Sequence, residues 1–217
     1  MAARPTVVVL AAGRSSRFGV GHHKLAQALG ETTVLAQTIA TAIATQLRTV
    51  VVTTAAFVDV ARSSVAARDV VVLPEVGGDG GGQLGMGASI AAGVAGSPDS
   101  SGWLVLPGDM PLIQPATVLA VANALEHHAV AFAQYRSRRG HPVGFAAELY
   151  PELTALTGDE GARRMIARYP ASPVELDDPG ILVDIDTEGD LEALRKSVAA
   201  LRAGKAGAVP PFAASSY

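Results

Sequence analysis

Residues 6–10 (TVVVL), 49–54 (TVVVTT), 69–74 (DVVVLP) and 103–107 (WLVLP) are apolar without the alternation of a strand that faces water on one side. Unbroken runs of this length rich in β-branched residues predict strands buried on both faces. Between them the period changes. Residues 34–46 place Val34, Leu35, Thr38, Ile39, Ala42 and Ile43 on one stripe, and residues 56–67 and 115–126 carry Ala-rich patterns of similar spacing, all reading as helices. Strand alternating with helix predicts right-handed crossovers and a parallel sheet covered on both sides, which binds its ligands where the strands' carboxyl ends feed the loops. The pattern continues with strands expected at 129–135, 141–145 and 180–185 and helices at 146–157, 160–168 and 188–202. No internal repeat or linker interrupts it, so the expectation is one domain over residues 1–203. The stretch 204–217, rich in Pro, Gly and small residues, reads as a loose tail.

Composition narrows the partners. The 217 residues are 49% hydrophobic but only 5% aromatic, which fits an aliphatic core between glycine-rich loops. A formal charge of −3 and a pI near 5.9 supply no basic field for nucleic acid or an anionic membrane, so neither is expected as a partner. The absence of cysteine excludes disulfides and thiolate chemistry. The first residues (MAARPTVVVLAAG) are too short in apolar character for a signal peptide, and no run reaches the roughly 18–20 apolar residues of a membrane span, so a cytoplasmic location is expected.

Chemistry is concentrated in the loops. The first strand runs into Ala11, Ala12 and Gly13 and then Arg14, Arg17 and Lys24. Small residues let backbone N–H groups approach a ligand and the cations complement an anion, so the loop holds a phosphate chain or is a solvated turn. Neither the dinucleotide fingerprint nor the P-loop string occurs, which disfavours a dinucleotide-dependent oxidoreductase, and a serine hydrolase would lack its G-x-S-x-G element. Residues 75–94 are richer still in glycine; there Ser89 either caps a helix or touches a ligand. At 104–113 (LVLPGDMPLI) a buried strand ends at Asp109, which either holds a hard cation before a phosphate chain or serves a turn ahead of the next helix. In 182–194 (LVDIDTEGDLEAL), Asp184 and Asp186 would share one face of a strand, with Thr187 capping the last helix. His22, His23, His127 and His128 read as solvated; Arg136, Arg138, Arg139 and His141 form a basic rim or a polar turn; Asp159 and Glu160 open a helix.

These loops, in this order, resemble the nucleotidyltransferases of the molybdenum cofactor pathway. The string LAAGRSSRFG followed by Lys24 is similar to that family's nucleotide-binding signature, and GMGASI, LPGDMPLI, RGHPVGF, GDEGAR and DIDTEGDL extend the likeness over about residues 5–195. The resemblance implies a Rossmann-like three-layer α/β/α fold of the nucleotide-diphospho-sugar transferase type, with a mostly parallel sheet. It implies that Leu10, Ala11, Ala12, Gly13, Arg17 and Lys24 cradle the triphosphate, that Gly87 and Ser89 lie by base and ribose, and that Asp109 and Asp186 bind Mg²⁺. His141 and the Asp159 loop would face the acceptor, molybdopterin. Members using CTP have L-A-A-G at the first loop, as Leu10 to Gly13 do here, whereas those transferring GMP have L-A-G-G. The implied reaction is transfer of CMP from CTP to the pterin cofactor, with a molybdoenzyme as a further partner. The rival readings are a transferase for another phosphorylated acceptor and a non-catalytic cofactor carrier.

Overall fold

A computed structural model of the chain describes residues 3–13, 23–74, 85–158, 162–185 and 187–202. The expected tail falls outside them. Seven strands form the central sheet: β1 (Thr6–Ala11), β4 (Arg48–Thr53), β5 (Val70–Val72), β6 (Gly102–Pro107), β7 (Val130–Tyr135), β8 (Arg138–Ala146) and β9 (Ala171–Glu175), in the order β5-β4-β1-β6-β8-β7-β9. All neighbours are parallel except β8, which runs against both β6 and β7. A two-stranded hairpin of β2 (Ala28–Leu29) and β3 (Thr32–Thr33) turns at Gly30, whose φ of 68° is the left-handed conformation glycine tolerates.

The helices divide between the two faces. Alternate residues of β1 explain why its run lacks alternation: Val7 and Val9 enter one core and Val8 the other, each fully buried. The first core takes α1 (Val34–Ala44), α2 (Val58–Ser64), α4 (Pro115–Ala124) and α7 (Glu188–Arg202); the second takes α3 (Met86–Ala95), α5 (Tyr150–Thr154) and α6 (Arg163–Arg168). This is the expected three-layer α/β/α arrangement, with a mostly parallel sheet.

Local chemistry sets the helix starts. Thr33 accepts the Ala36 N–H at 3.2 Å at the head of α1, and Pro115 opens α4. Thr187 caps α7 as expected: its hydroxyl accepts the Asp190 N–H, and Asp190 accepts the Thr187 N–H in return. Asp190 is thus half of a capping box.

Three expectations are corrected. Residues 180–185 are not a strand; a 3-10 turn at Pro179–Leu182 is followed by irregular chain. The apolar run is there because Ile181, Val183 and Ile185 are buried, not because they pair in a sheet. The outer place in the sheet belongs to β9, a half-exposed edge strand containing Pro173, whose mixed pattern gave no strand signal. The expected helices at 56–67 and 146–157 are each a 3-10 turn continued by a short α-helix, Ala55–Phe57 with α2 and Ala147–Leu149 with α5.

Candidate active site

The carboxyl ends of β1 and β6 lie side by side. The Gly108 N–H donates to the Leu10 carbonyl at 2.9 Å, and a Cβ at Gly108 would stand 2.9 Å from that same oxygen, so only glycine lets the two exits run this closely. Ala11 is 1% exposed and its methyl belongs to the core; Ala12 is half-buried and Gly13 exposed, so any ligand here meets backbone and not side chain. Arg17 lies outside the described residues.

His23 caps the 3-10 segment Lys24–Ala26. Lys24 Nζ is 2.6 Å from Asp109 Oδ2, with the two side chains 17% and 13% exposed. The first loop's cation and the third loop's carboxylate, 85 positions apart, thus form one pair. His23 is not the solvated residue its neighbours suggested. Its Nδ1 accepts the Leu25 N–H at 3.3 Å, its imidazole hydrogen-bonds the Gly13 backbone, and its ring meets Phe57 edge-on at 4.5 Å. Burial, aided by the Lys24 charge and opposed by the Gly13 bond, holds its pKa below the usual value.

His141 stands at the head of β8, buried, with a cis peptide to Pro142. Its imidazole hydrogen-bonds the Val105 backbone and lies in the field of Asp109. Burial outweighs both and lowers its pKa to about 4, so the ring is neutral at pH 7. Just before it, the β7–β8 turn carries the basic rim. Arg136 and Ser137 have φ of 49° and 62°, and Glu175 clamps the turn by accepting the Arg136 N–H at 2.7 Å and the Gln134 amide at 2.8 Å. Arg139 lies over Phe132 at 4.1 Å and Arg136 over Tyr135 at 5.0 Å, so both guanidiniums are steadied by rings.

Gly87 and Ser89 occupy the first turns of α3. The helix is capped by Gly85, and Ser89, 5% exposed, is inside it, so the capping role is not the one Ser89 plays. The Gly87 N–H donates to the Gly158 carbonyl at 2.9 Å, and a Cβ there would fall 2.7 Å from the Thr157 oxygen. That contact joins the glycine-rich segment to the start of the GDEGAR segment. Asp159 and Asp186 lie outside the described residues, and Asp184 is in irregular chain, not on the expected strand face.

One residue of the neighbourhood was missed. Asp178 is 3% exposed, and its carboxylate accepts the N–H groups of Gln114 and Gly180 and the hydroxyl of Thr117. An Asp directly before Pro-Gly is a turn signature that could have drawn attention to it.

Among the described residues no group of three or more His, Asp or Glu gathers as a metal cage. A single hard carboxylate at the end of a central strand is the donor set of a Mg²⁺ that takes its remaining ligands from substrate phosphates and water, so Asp109 fits such an ion.

Fold and site together define an α/β protein whose polar groups converge where parallel strands end. Residues 7–174 match the MobA-like NTP transferase domain, and the chain belongs to that family of nucleotidyltransferases. It is 31% identical over 121 residues to the purine catabolism protein PucB of Bacillus subtilis, an alignment covering 54% of this chain and 58% of PucB. Rv0371c of Mycobacterium tuberculosis H37Rv superposes with a TM-score of 0.75 at 29% identity, over 89% of this chain and 99% of that one. The same protein in complex with manganese gives a TM-score of 0.72 at 26% identity, over 91% and 100%. The nucleotidyl transferase Mth528 of Methanothermobacter gives 0.72 at 25% identity, over 92% and 99%.

Proposed function

We propose that this nucleotidyltransferase transfers CMP from CTP to the terminal phosphate of the molybdenum–molybdopterin cofactor, releasing pyrophosphate, in the cytoplasm. The observation that carries the reading is the Lys24–Asp109 pair at the joined ends of β1 and β6. One charge of each sign, both largely shielded from water, is what a triphosphate with its metal requires. The L-A-A-G sequence of Leu10 to Gly13 supports CTP over GTP. The manganese complex of Rv0371c supports a divalent ion.

In this reading Asp109, with Asp186, holds Mg²⁺, which when bound neutralises charge on the phosphate oxygens. The backbone of Ala12 and Gly13 approaches the phosphate chain, and Lys24 and Arg17 meet the charge that grows on the departing pyrophosphate. Gly87 and Ser89 lie toward base and ribose. An oxygen of the acceptor phosphate forms the new P–O bond at the α-phosphorus while the bond to the β-phosphate bridging oxygen breaks. That acceptor is largely ionised near pH 7 and needs no protein base. His141, neutral there, orients the acceptor by hydrogen bonding, beside the Asp159 segment, without adding charge.

Calorimetric titration with CTP, GTP, ATP and UTP in Mg²⁺, beside Asp109→Ala, tests the proposal. Preferential CTP binding that weakens in the variant supports it, and a pyrophosphate-release assay with the pterin acceptor follows. Binding of GTP alone moves the protein to guanylyl transfer. No nucleotide binding would leave a carrier of the cofactor as the reading.

A further inference from the structure

We infer that Asp178 is a positioning residue for the nucleotide site, acting through the loop that carries Asp109. The inference rests on the reading of Asp109 as the residue that meets metal and phosphates.

Asp178 follows β9 and is remote in sequence from everything it holds. Its Oδ2 accepts the Gln114 N–H at 2.9 Å and the Thr117 hydroxyl at 2.6 Å, across 64 and 61 positions, while Oδ1 accepts the Gly180 N–H at 2.9 Å. Gln114 caps α4 and closes the loop that begins at Gly108 and Asp109. One carboxylate therefore pins the far end of that loop; the near end is pinned by the Gly108 bond to Leu10. Between two fixed ends, Asp109 has little room to move.

The turn after Asp178 is wedged on both sides. A Cβ at Gly180 would lie 2.4 Å from the Leu112 carbonyl oxygen, inside the Asp109 loop, and a Cβ at Gly140, next to His141, would lie 2.3 Å from the Ile181 oxygen. Backbone thus touches backbone from the Asp109 loop through the 179–182 turn to the head of β8. Downstream, the same turn leads into Asp184 and toward residue 186. Asp178 is the knot of this stack. It holds the Asp109 loop against the turn that reaches the head of β8.

An asparagine has one acceptor oxygen where aspartate has two, so Asp178→Asn cannot serve both the Gly180 side and the Gln114–Thr117 side. Displacement of a site group by about an ångström costs on the order of 100-fold in a reaction and less in binding. The test is titration of CTP, in Mn²⁺ and again in EDTA, into wild type, Asp178→Asn, Thr117→Val, Thr117→Ser and Asp109→Ala, with thermal melts of each. Asp178→Asn is expected to bind CTP about tenfold more weakly in Mn²⁺ and equally in EDTA, Thr117→Val to show a smaller loss of the same kind, and Thr117→Ser to restore wild-type binding. A purely structural role would lower Tm and leave the Mn²⁺-dependent difference at wild-type size in the folded variants; that result overturns the inference. If Asp109→Ala binds as wild type does, the functional reading of Asp109 fails. Hydrogen exchange of the Met110 and Leu112–Gln114 amides then decides: faster exchange in Asp178→Asn and Thr117→Val upholds the loop-setting role, and unchanged exchange overturns it.

Discussion

Lys24 Nζ rests 2.6 Å from Asp109 Oδ2, and both side chains are more than four-fifths shielded from solvent. Removing one member leaves the other charge shielded and uncompensated, whereas removing both does not. The double variant Lys24→Met/Asp109→Asn should therefore melt at a higher temperature than the more damaged of the two singles. Trp103, the chain's one tryptophan and 1% exposed, reports the transition by fluorescence. For activity, loss of the Lys24 ammonium should lower kcat/KM about 10- to 100-fold, the range expected for a hydrogen bond to a charged group. A cycle in which the two stability losses simply add would show that the pair is not coupled.

Acid should destabilise the fold through His141. Its pKa is lowered to about 4 in the folded chain from an ordinary value near 6.5. Above pH 6.5 neither state binds the proton and the full stability is present. As pH falls from 6.5 to 4 the unfolded chain takes up a proton that the folded chain refuses, so stability declines, by on the order of 3 kcal/mol over the window. His23, lowered in the same direction by burial, adds to the trend. Melts of wild type and His141→Gln at pH 7 and pH 4.5 should show a smaller drop in the variant. Parallel drops would locate the acid sensitivity elsewhere.

Gly87 and Gly13 should respond oppositely to alanine. At Gly87 the new methyl would press the Thr157 carbonyl from 2.7 Å, whereas at Gly13 nothing among the described residues lies within 4 Å of it. Overpacking of that kind costs about 1–3 kcal/mol, which in a chain of this size lowers Tm by roughly 2–4 °C per kcal/mol. Gly13→Ala should leave Tm within about a degree of wild type. Equal melts for the two variants would show that the 157–158 segment yields freely.

What the sequence made legible follows from where the signal lay. β5, an edge strand with Val72 47% exposed, was readable from its β-branched run and not from burial. β1, β4 and β6 were readable because strands covered on both faces are apolar throughout. The same rule misread residues 180–185, where Ile181, Val183 and Ile185 are buried by an irregular chain threaded under the Asp109 loop. β9 escaped notice for the converse reason: an edge strand half in water needs no apolar run. At the site, Asp109 and Lys24 were found singly, from the end of a strand and from a cation after a glycine loop. Their contact is a product of the fold. The partners of Asp178 and of the His23 ring come from distant segments that meet only in the fold, so spacing did not reveal them, although the Asp-Pro-Gly signature marked Asp178 as a turn residue.

β8 lies between β6 and β7 and runs opposite to both. Its head, not its tail, therefore reaches the rim where the other strands finish, and it arrives there from a hairpin, not from a crossover helix. A hairpin tip can gain, lose or exchange residues without disturbing the strands that deliver Gly13 and Asp109. The tip at Arg136–His141 can thus vary while the ends of β1 and β6 stay as they are, and under the proposed reading, in which His141 faces the acceptor, that would let acceptor choice change while the triphosphate site is kept.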